Sequence, residues 1–186
     1  AYLRTDSEIE AIQLLEAASL KMKKNLGEDR WPSIECLIYL SRAYLLVDHP
    51  TDALESLQGL EHLTSSPKAS QDQKFRIQQF LAEALLRTGQ QQKGVEILQQ
   101  VEQLRRTKTV NKPLAMSKSL ITIGSRYLDA GMFTEAEIYL RESLDLLRKN
   151  GPPEHWRSSV VESALGAALA EQGQHEEAEP LLLSGA

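Results

Sequence analysis

The stretch "LITIGSRYLDAGMFTEAEIYLRESLDL", residues 120–146, decides the fold of this chain. Small and large residues follow one another in it at fixed steps: Gly124, Tyr127, Gly131, Ala136 and Leu140. None of these side chains is reactive, so the regular spacing indicates packing between helices and not catalysis.

The same spacing recurs along the whole chain. A small residue is followed by a large one three places later, by alanine or glycine after twelve places and by leucine after sixteen. The first small residue of each unit is Ser41, Ala82, Gly124 or Gly166, which gives steps of 41, 42 and 42 residues. A turn residue recurs on the same step, at Asp48, Gly89, Gly131 and Gly173. The positions four and one before each small residue, at it and three after it lie on one helical stripe, so the sequence predicts helix–turn–helix repeats.

The repeats predict an all-α chain without strands. Nine helices are expected, near 7–25, 33–47, 51–64, 70–88, 91–107, 113–130, 134–149, 154–172 and 176–184. We expect one domain over residues 1–186, with a partial repeat at 1–31 and repeats at about 32–72, 73–113, 114–155 and 156–186. Pro180 falls inside the last helix, where it costs a backbone hydrogen bond unless that helix starts late. The chain starts part-way through a unit, so we expect it to be a fragment of a longer protein.

Composition excludes several function classes. The net charge of −5 without a basic block argues against a nucleic-acid partner, and no apolar run approaches the ~20 residues that a membrane span needs. The single Cys36 allows neither an internal disulfide nor a cysteine zinc cluster. The four histidines have no His or Cys partner at metal-ligand spacing, and carboxylate pairs such as Glu176/Glu177 are explained by the helix dipole. We expect a cytoplasmic protein without cofactor, metal or catalytic activity of its own.

The unit around Gly124, Tyr127 and Ala136 resembles the tetratricopeptide repeat (TPR), whose usual length is about 34 residues. A step of 42 residues is similar to the kinesin light chain variety, and so is the join "LGEDRWPSI" at 26–34. The tail "HWRSSVVESALGAALAEQGQHEEAEPLLLSG" is also similar to repeats of bacterial serine/threonine kinases. The resemblance implies a right-handed superhelical solenoid whose first helices line a concave, ligand-binding face.

That face gives the candidate site residues, six and three places before each small residue and one and four places after it. They are Glu35, Ile38, Arg42, Leu45, Arg76, Gln79, Glu83, Leu86, Lys118, Ile121, Ser125 and Leu128, followed in the last unit by Val160, Ser163, Ala167 and Ala170. An apolar strip runs through this set: Ile38, Leu45, Leu86, Ile121 and Leu128. Either the strip forms a groove for a ligand, or its members pack sideways against neighbouring first helices. The carboxylate clamp and the asparagine ladder of related repeats are both absent from the matching positions.

The resemblance implies a protein- or peptide-binding scaffold that takes an amphipathic helix or an extended segment. The alternatives are a regulatory or sensor appendage of a multidomain bacterial signalling protein, such as a serine/threonine kinase, and a structural subunit of a large assembly. Self-association is also expected, through apolar residues of the terminal units: Ala11, Leu14, Leu15 and Ala18 at one end and Leu181, Leu182 and Leu183 at the other.

Three further positions have expected packing roles. Trp31 and Trp156 both lie ten residues before the small residue of their units, at the start of a first helix, so both should pack as apolar plugs against the preceding unit; a ligand-stacking role is the alternative. Arg87 is expected to point outward, so its replacement by alanine should change stability by no more than about 0.5 kcal/mol.

Overall fold

A computed structural model describes residues 6–27, 30–67, 69–152 and 156–184, and in these ranges all regular structure is helical. The helices are α1 (Asp6–Leu26), α2 (Trp31–Leu46), α3 (Pro50–Gln58), α4 (Glu61–Ser65), α5 (Gln71–Arg87), α6 (Gln91–Lys108), α7 (Pro113–Asp129), α8 (Phe133–Asn150), α9 (Trp156–Glu171) and α10 (His175–Ser184). The all-α prediction is therefore confirmed. Residues 28–29 of the predicted join and His155 lie outside the described ranges.

The chain divides into two compact units, residues 1–94 and residues 95–186. In the first unit, α2 packs against α1 and α3, and α5 packs against α2, α3 and α4. In the second unit, α8 packs against α7 and α9, and α9 also contacts α7 and α10. These helices thus pack mainly against helices that are close to them in sequence, as in repeat proteins.

The small residues of the repeat lie where helices approach each other closely. Ser41 and Ala82 are fully buried. A Cβ atom built on Gly124 would lie 2.9 Å from Cγ of Leu140, and one built on Gly166 would lie 2.8 Å from Cγ of Leu182. Because carbon atoms normally approach to only about 3.5–4.0 Å, α8 and α10 can pack this closely only against glycine. The predicted packing role is confirmed at these positions.

The four predicted turn residues all have a left-handed backbone. Their φ angles are +62° at Asp48, +81° at Gly89, +73° at Gly131 and +76° at Gly173. After each of them, the next N–H donates to a carbonyl five residues earlier, as from Met132 to Tyr127 at 2.8 Å. This is the Schellman arrangement, which satisfies carbonyls at a helix C-terminus and needs one left-handed residue. The four turns therefore share one geometry as well as one step.

The helix predicted at 51–64 is broken in two, so the prediction of nine helices is wrong. The chain leaves α3 at Gly59, and the Leu60 N–H donates to the Leu57 carbonyl at 2.8 Å, a bond one residue shorter than in an α-helix. Glycine is a poor helix former, and the break leaves Leu60 and Leu63 buried. In α10, by contrast, Pro180 is tolerated inside the helix, which starts at His175.

The two tryptophans differ in their surroundings. Trp31 is half-buried, in keeping with the predicted plug. Trp156 is 66% exposed, and the guanidinium of Arg157 lies 4.7 Å from the centroid of its ring. The plug role is wrong for Trp156, because α9 begins at this residue and leaves its ring at the surface beside Arg157.

Candidate functional site

One side of α2 lies against α5 in the first unit. The Arg76 guanidinium donates to the Glu35 carboxylate at 2.7 Å, and Arg87 Nη1 donates to the Leu45 carbonyl at 2.9 Å. Ile38 lies between these two contacts on the same stripe of α2, and it is 1% exposed. The buried side chains of Ile38 and Leu45 therefore offer no surface to a ligand. At these two positions the neighbouring first helix covers the predicted apolar strip.

Two predicted residues of α5 are buried as well. The Glu83 carboxylate lies 3.4 Å from the Arg87 guanidinium, and its side chain is 4% exposed. Leu86 packs where α6 begins, so that a Cβ on Gly94 would lie 2.7 Å from its Cγ. Glu83 and Leu86 are thus corrected to packing residues, whereas Glu35, Arg76 and Gln79 keep part of their surface accessible.

The accessible surface of α2 is a stripe one position away from the predicted apolar strip. It consists of Glu35, Tyr39, Arg42 and Leu46, which are spaced at helical intervals and are here called the α2 stripe. Tyr39 is 46% exposed and Leu46 is 74% exposed. Sequence reasoning missed both residues as site candidates. The helical spacing could have revealed them, because Tyr39 and Leu46 lie on the same side of α2 as Glu35 and Arg42. Ile38 and Leu45 lie on the adjacent stripe, which is buried.

The α2 stripe combines apolar surface with positive charge. The Arg76 guanidinium lies 5.4 Å from the centroid of the Tyr39 ring. Its hydrogen bond to Glu35 raises the pKa of Arg76, against the lowering effect of burial. Arg42 is exposed and makes no ion pair within the described ranges. A guanidinium beside an aromatic ring and a leucine can bind carboxylate or carbonyl oxygens while the ring and the leucine bind apolar groups.

Several charged residues of the second helices are paired with one another. In the second unit, Arg106 donates to both carboxylate oxygens of Glu142 at 2.7 Å, and this bond raises the pKa of Arg106. Arg141 likewise bridges Glu137 and Glu177, each at 2.7 Å. Exposed pairs of this kind contribute little stability. The guanidinium and carboxylate groups of these pairs are therefore already engaged with one another.

At the predicted site positions, the side chains on the first helices of the second unit are more exposed than those of the first unit. On α7, Lys118 is exposed and the other predicted residues are half-buried: Ile121, Ser125 and Leu128. On α9, Val160 is 47% exposed. A shallow groove of about 480 Å³ runs along α9 and is lined by small residues: Ser159, Val160, Ser163, Ala164 and Ala167. The predicted residues of this unit therefore remain candidates.

The described ranges contain neither a metal-binding cluster nor a membrane-spanning helix. No cluster of three or more His, Cys, Asp or Glu side chains there is placed to hold a metal ion. Nor is any described helix both long and apolar enough to cross a membrane.

Several solved protein structures are similar to the structure of this chain. No protein-family model matches the sequence, and no curated protein matches it significantly. A crystal structure of nearly identical TPR-like repeats, from a Podosopora anserina protein assigned as a kinesin light chain, is 25% identical, with a TM-score of 0.66 over 96% of this chain and 85% of that one. A substituted form of it gives a TM-score of 0.69 at the same identity, over 96% and 84%. The apo form of RapI, at 18% identity and a TM-score of 0.63 over 97% and 63%, shares the fold alone. The predicted TPR resemblance is confirmed.

Proposed function

This chain is a tetratricopeptide-like repeat protein, and we propose that it is a protein-interaction scaffold that binds a protein or peptide through its first helices. The α2 stripe is the observation that carries the proposal. In it, Arg42, which makes no ion pair with the residues that the structure describes, lies between two exposed side chains with apolar surface, Tyr39 and Leu46. Aromatic residues and arginine are the side chains most enriched where proteins bind each other tightly.

Each unit contributes first-helix residues to the proposal. In the first unit they are Glu35, Tyr39, Arg42, Leu46, Arg76 and Gln79. In the second they are Lys118, Ile121, Ser125 and Leu128. The ligand is an amphipathic helix or an extended segment with apolar anchors and at least one carboxylate or carbonyl group for Arg42. The repeat bounds stay at about 32–72, 73–113, 114–155 and 156–186, and the protein acts in the cytoplasm, either alone or as the regulatory part of a signalling protein.

A capture experiment with matched variants tests the proposal. The full chain, a Tyr39→Ala/Arg42→Glu/Leu46→Ser variant and an Ile138→Ser/Asp145→Arg control are immobilised and exposed to cell extract. The control changes an α8 surface where Ile138 is 61% exposed. Both variants should keep the wild-type helical content by circular dichroism, because they change exposed side chains, each of which usually alters stability by about 0.5 kcal/mol or less.

Quantitative mass spectrometry should find proteins that the wild type and the control retain equally and that the triple variant loses. With such a partner purified, the triple variant should bind at least ~30-fold more weakly, which corresponds to the loss of about 2 kcal/mol. Equal retention by all three chains would rule out the α2 stripe as the binding surface.

A further inference from the structure

The α1 helix has the register of a second helix of the repeat. In the second unit, the second helix α8 packs on the first helix α7 through Tyr139 and Leu140, which lie against Gly124. Three repeat steps earlier, Leu14 and Leu15 hold these places in α1. Leu14 is 65% exposed and Leu15 is half-buried, whereas Leu140 is fully buried. The face of α1 that corresponds to the first-helix contact of α8 is therefore open.

The adjoining face of α2 is open in the same way. In the first unit, the first helix α5 packs on the preceding first helix, α2. Phe80 and Arg87 lie seven residues apart on one stripe of α5, where Phe80 is buried and Arg87 donates to the Leu45 carbonyl of α2. Tyr39 and Leu46 of the α2 stripe hold the same places in their own repeat, and both are exposed. They form the surface on which a preceding first helix would pack.

The two open faces lie side by side, because α1 and α2 are antiparallel neighbours. At one end of the pair, the Ser33 hydroxyl donates to the Gly27 carbonyl at 2.8 Å. Towards the other end, the Tyr44 hydroxyl of α2 donates to the Glu16 carboxylate of α1. We call the combined surface the first-helix site, and it consists of Leu14 and Leu15 of α1 with Tyr39 and Leu46 of α2.

Contacts elsewhere in the chain indicate how an occupant of this site would lie. The first helix α7 is antiparallel to α8, to which the turn at Gly131 joins it. The first helices α2 and α5 are parallel, because Arg76 bonds to Glu35 near their starts and Arg87 bonds to Leu45 near their ends. A helix that is antiparallel to α1 and parallel to α2 satisfies both relations at once.

A helix fits the first-helix site better than an extended segment does. The backbone groups of α1 and α2 are bonded within their own helices, so a strand laid on them would bury unpaired N–H and carbonyl groups. A helix satisfies its own backbone and presents an apolar stripe to the site. It needs a small residue opposite Leu15, because Leu140 holds the same place in α8 and packs against Gly124.

Arg42 adds a requirement for charge at the edge of the site. In α5, Glu83 holds the place of Arg42 and pairs with Arg87, four residues later. The residue four places after Arg42 is Leu46, so α2 has no such pair. Arg42 is exposed and makes no ion pair with the residues that the structure describes. A carboxylate on the occupant would complement its charge.

We propose that the partner of the α2 stripe docks as an additional first helix, antiparallel to α1 and parallel to α2. The partner is another protein, and it contributes an amphipathic helix about as long as α2, which has 16 residues. That helix carries a small residue opposite Leu15 and a carboxylate beside Arg42. The inference rests on the proposed scaffold function and selects a helix over an extended segment as the ligand.

A synthetic peptide tests the docking mode without the natural partner. It has the sequence of residues 113–131, the first helix α7 with its turn, and Ser125→Glu supplies the carboxylate. Fluorescence anisotropy of the labelled peptide should show saturable one-to-one binding to the full chain. A second change in the peptide, Gly124→Leu, should weaken binding about tenfold or more by overpacking. A peptide that does not bind, or that binds equally well with leucine at position 124, would overturn the docking mode.

A charge reversal tests the contact with Arg42. A control peptide carries Ser125→Lys in place of Ser125→Glu, and it should bind the wild-type chain about fivefold more weakly. In the Arg42→Glu chain the order of the two peptides should reverse. The same order in both chains would contradict the carboxylate contact.

Crosslinking and a matched pair of chain variants test the location. In the chain, the rings of Tyr127 and Tyr139 stack with their centroids 5.5 Å apart, and Leu14 holds the place of Tyr139 in α1. Benzoylphenylalanine at position 127 of the peptide should therefore crosslink to α1 around Leu14. Leu14→Asp should weaken the peptide about tenfold, whereas Ile138→Ser on α8 should leave its affinity within about twofold. Crosslinks that lie only in the second unit would refute the site.

The natural partner separates this inference from the proposed function. A partner that is captured through the α2 stripe should be displaced by the Ser125→Glu peptide. If the peptide fails to displace it, the docking mode is wrong and the scaffold function stands. Benzoylphenylalanine at Leu14 of the full chain should crosslink to the partner. Crosslinking to a second copy of the chain instead would assign the site to self-association and overturn the inference.

Discussion

Replacement of glycine by alanine should have opposite effects on stability at two positions. It should destabilise the protein at Gly124, where two helices pack closely, and stabilise it at Gly59, where a new Cβ would meet no atom within 4 Å. In Gly124→Ala, the added Cβ lies 2.9 Å from Cγ and 3.1 Å from Cδ2 of Leu140, and 3.3 Å from Cβ of Tyr139. Leu140 is fully buried, and its Cγ is a branch point close to the backbone. The side chain therefore cannot avoid the new methyl group by moving only its tip. Relief requires α7 and α8 to separate by several tenths of an ångström.

The magnitude follows from two opposing effects. Overpacking of a filled core costs about 1–3 kcal/mol, and replacing a helical glycine by alanine regains up to about 1 kcal/mol. Gly124→Ala should therefore lose about 1 kcal/mol net. Gly124→Leu, which puts three more carbons into the same space, should lose about 2–3 kcal/mol. At Gly59, where φ is −64° and no atom lies within 4 Å of a new Cβ, alanine should instead gain about 0.4–1 kcal/mol.

Urea unfolding followed by circular dichroism at 222 nm measures these differences, with thermal melts as a second observable. For a chain of this size, 1 kcal/mol corresponds to about 2–4 °C in the thermal midpoint. The expected order of midpoints is Gly59→Ala above wild type, followed by Gly124→Ala and then Gly124→Leu. If Gly124→Ala were as stable as Gly59→Ala, the helices would not meet at Gly124, and the register of the repeat would be wrong.

Three further predictions concern the turns, Arg87 and the buried tyrosine. Gly131→Ala should lower stability by about 1–2 kcal/mol in urea, because its φ of +73° strains any residue with a Cβ; an unchanged midpoint would contradict the Schellman turn. Arg87→Ala should cost about 1–2 kcal/mol by thermal melting, because it removes the bonds to the Leu45 carbonyl and to Asp48; a loss below 0.5 kcal/mol would contradict these contacts. Burial raises the pKa of Tyr127 to about 12 from its usual 10, so the unfolded chain ionises first and stability should fall between pH 10 and pH 12. As the pH rises over that range, the urea midpoint of Tyr127→Phe should fall less steeply than that of the wild type. Equal slopes for the two proteins would contradict a raised pKa of Tyr127.

The features that repeat along the chain could be predicted from the sequence. At Gly124 and Gly131 the residue type itself indicates the structural role. Glycine permits close helix packing at Gly124 and a left-handed turn at Gly131. The break at Gly59 could not be predicted in the same way, because one glycine is tolerated in many helices. Whether it ends a helix depends on where Leu60 and Leu63 can be buried, which is a property of the tertiary structure.

The candidate site was harder to predict than the fold. The first helix of a repeat buries one side against the second helix of the same repeat. It buries another side against the first helix of the next repeat, so two apolar stripes lie next to each other on it. Ile38 and Leu45 belong to the second of these stripes and cannot be told from a ligand-binding strip by spacing alone. Arg87 was misplaced for the same reason, because its contacts to Asp48 and Leu45 join residues about forty positions apart.

Photo-crosslinking from two single positions tests the proposed scaffold function most directly. Benzoylphenylalanine replaces either Tyr39 on the α2 stripe or Ile138 on the α8 surface, both exposed in the structure. The chain is expressed in cells and irradiated, and the crosslinked products are identified by mass spectrometry. The account predicts a defined partner protein crosslinked from position 39 and absent from position 138. Crosslinking of the partner from position 138 alone would contradict it.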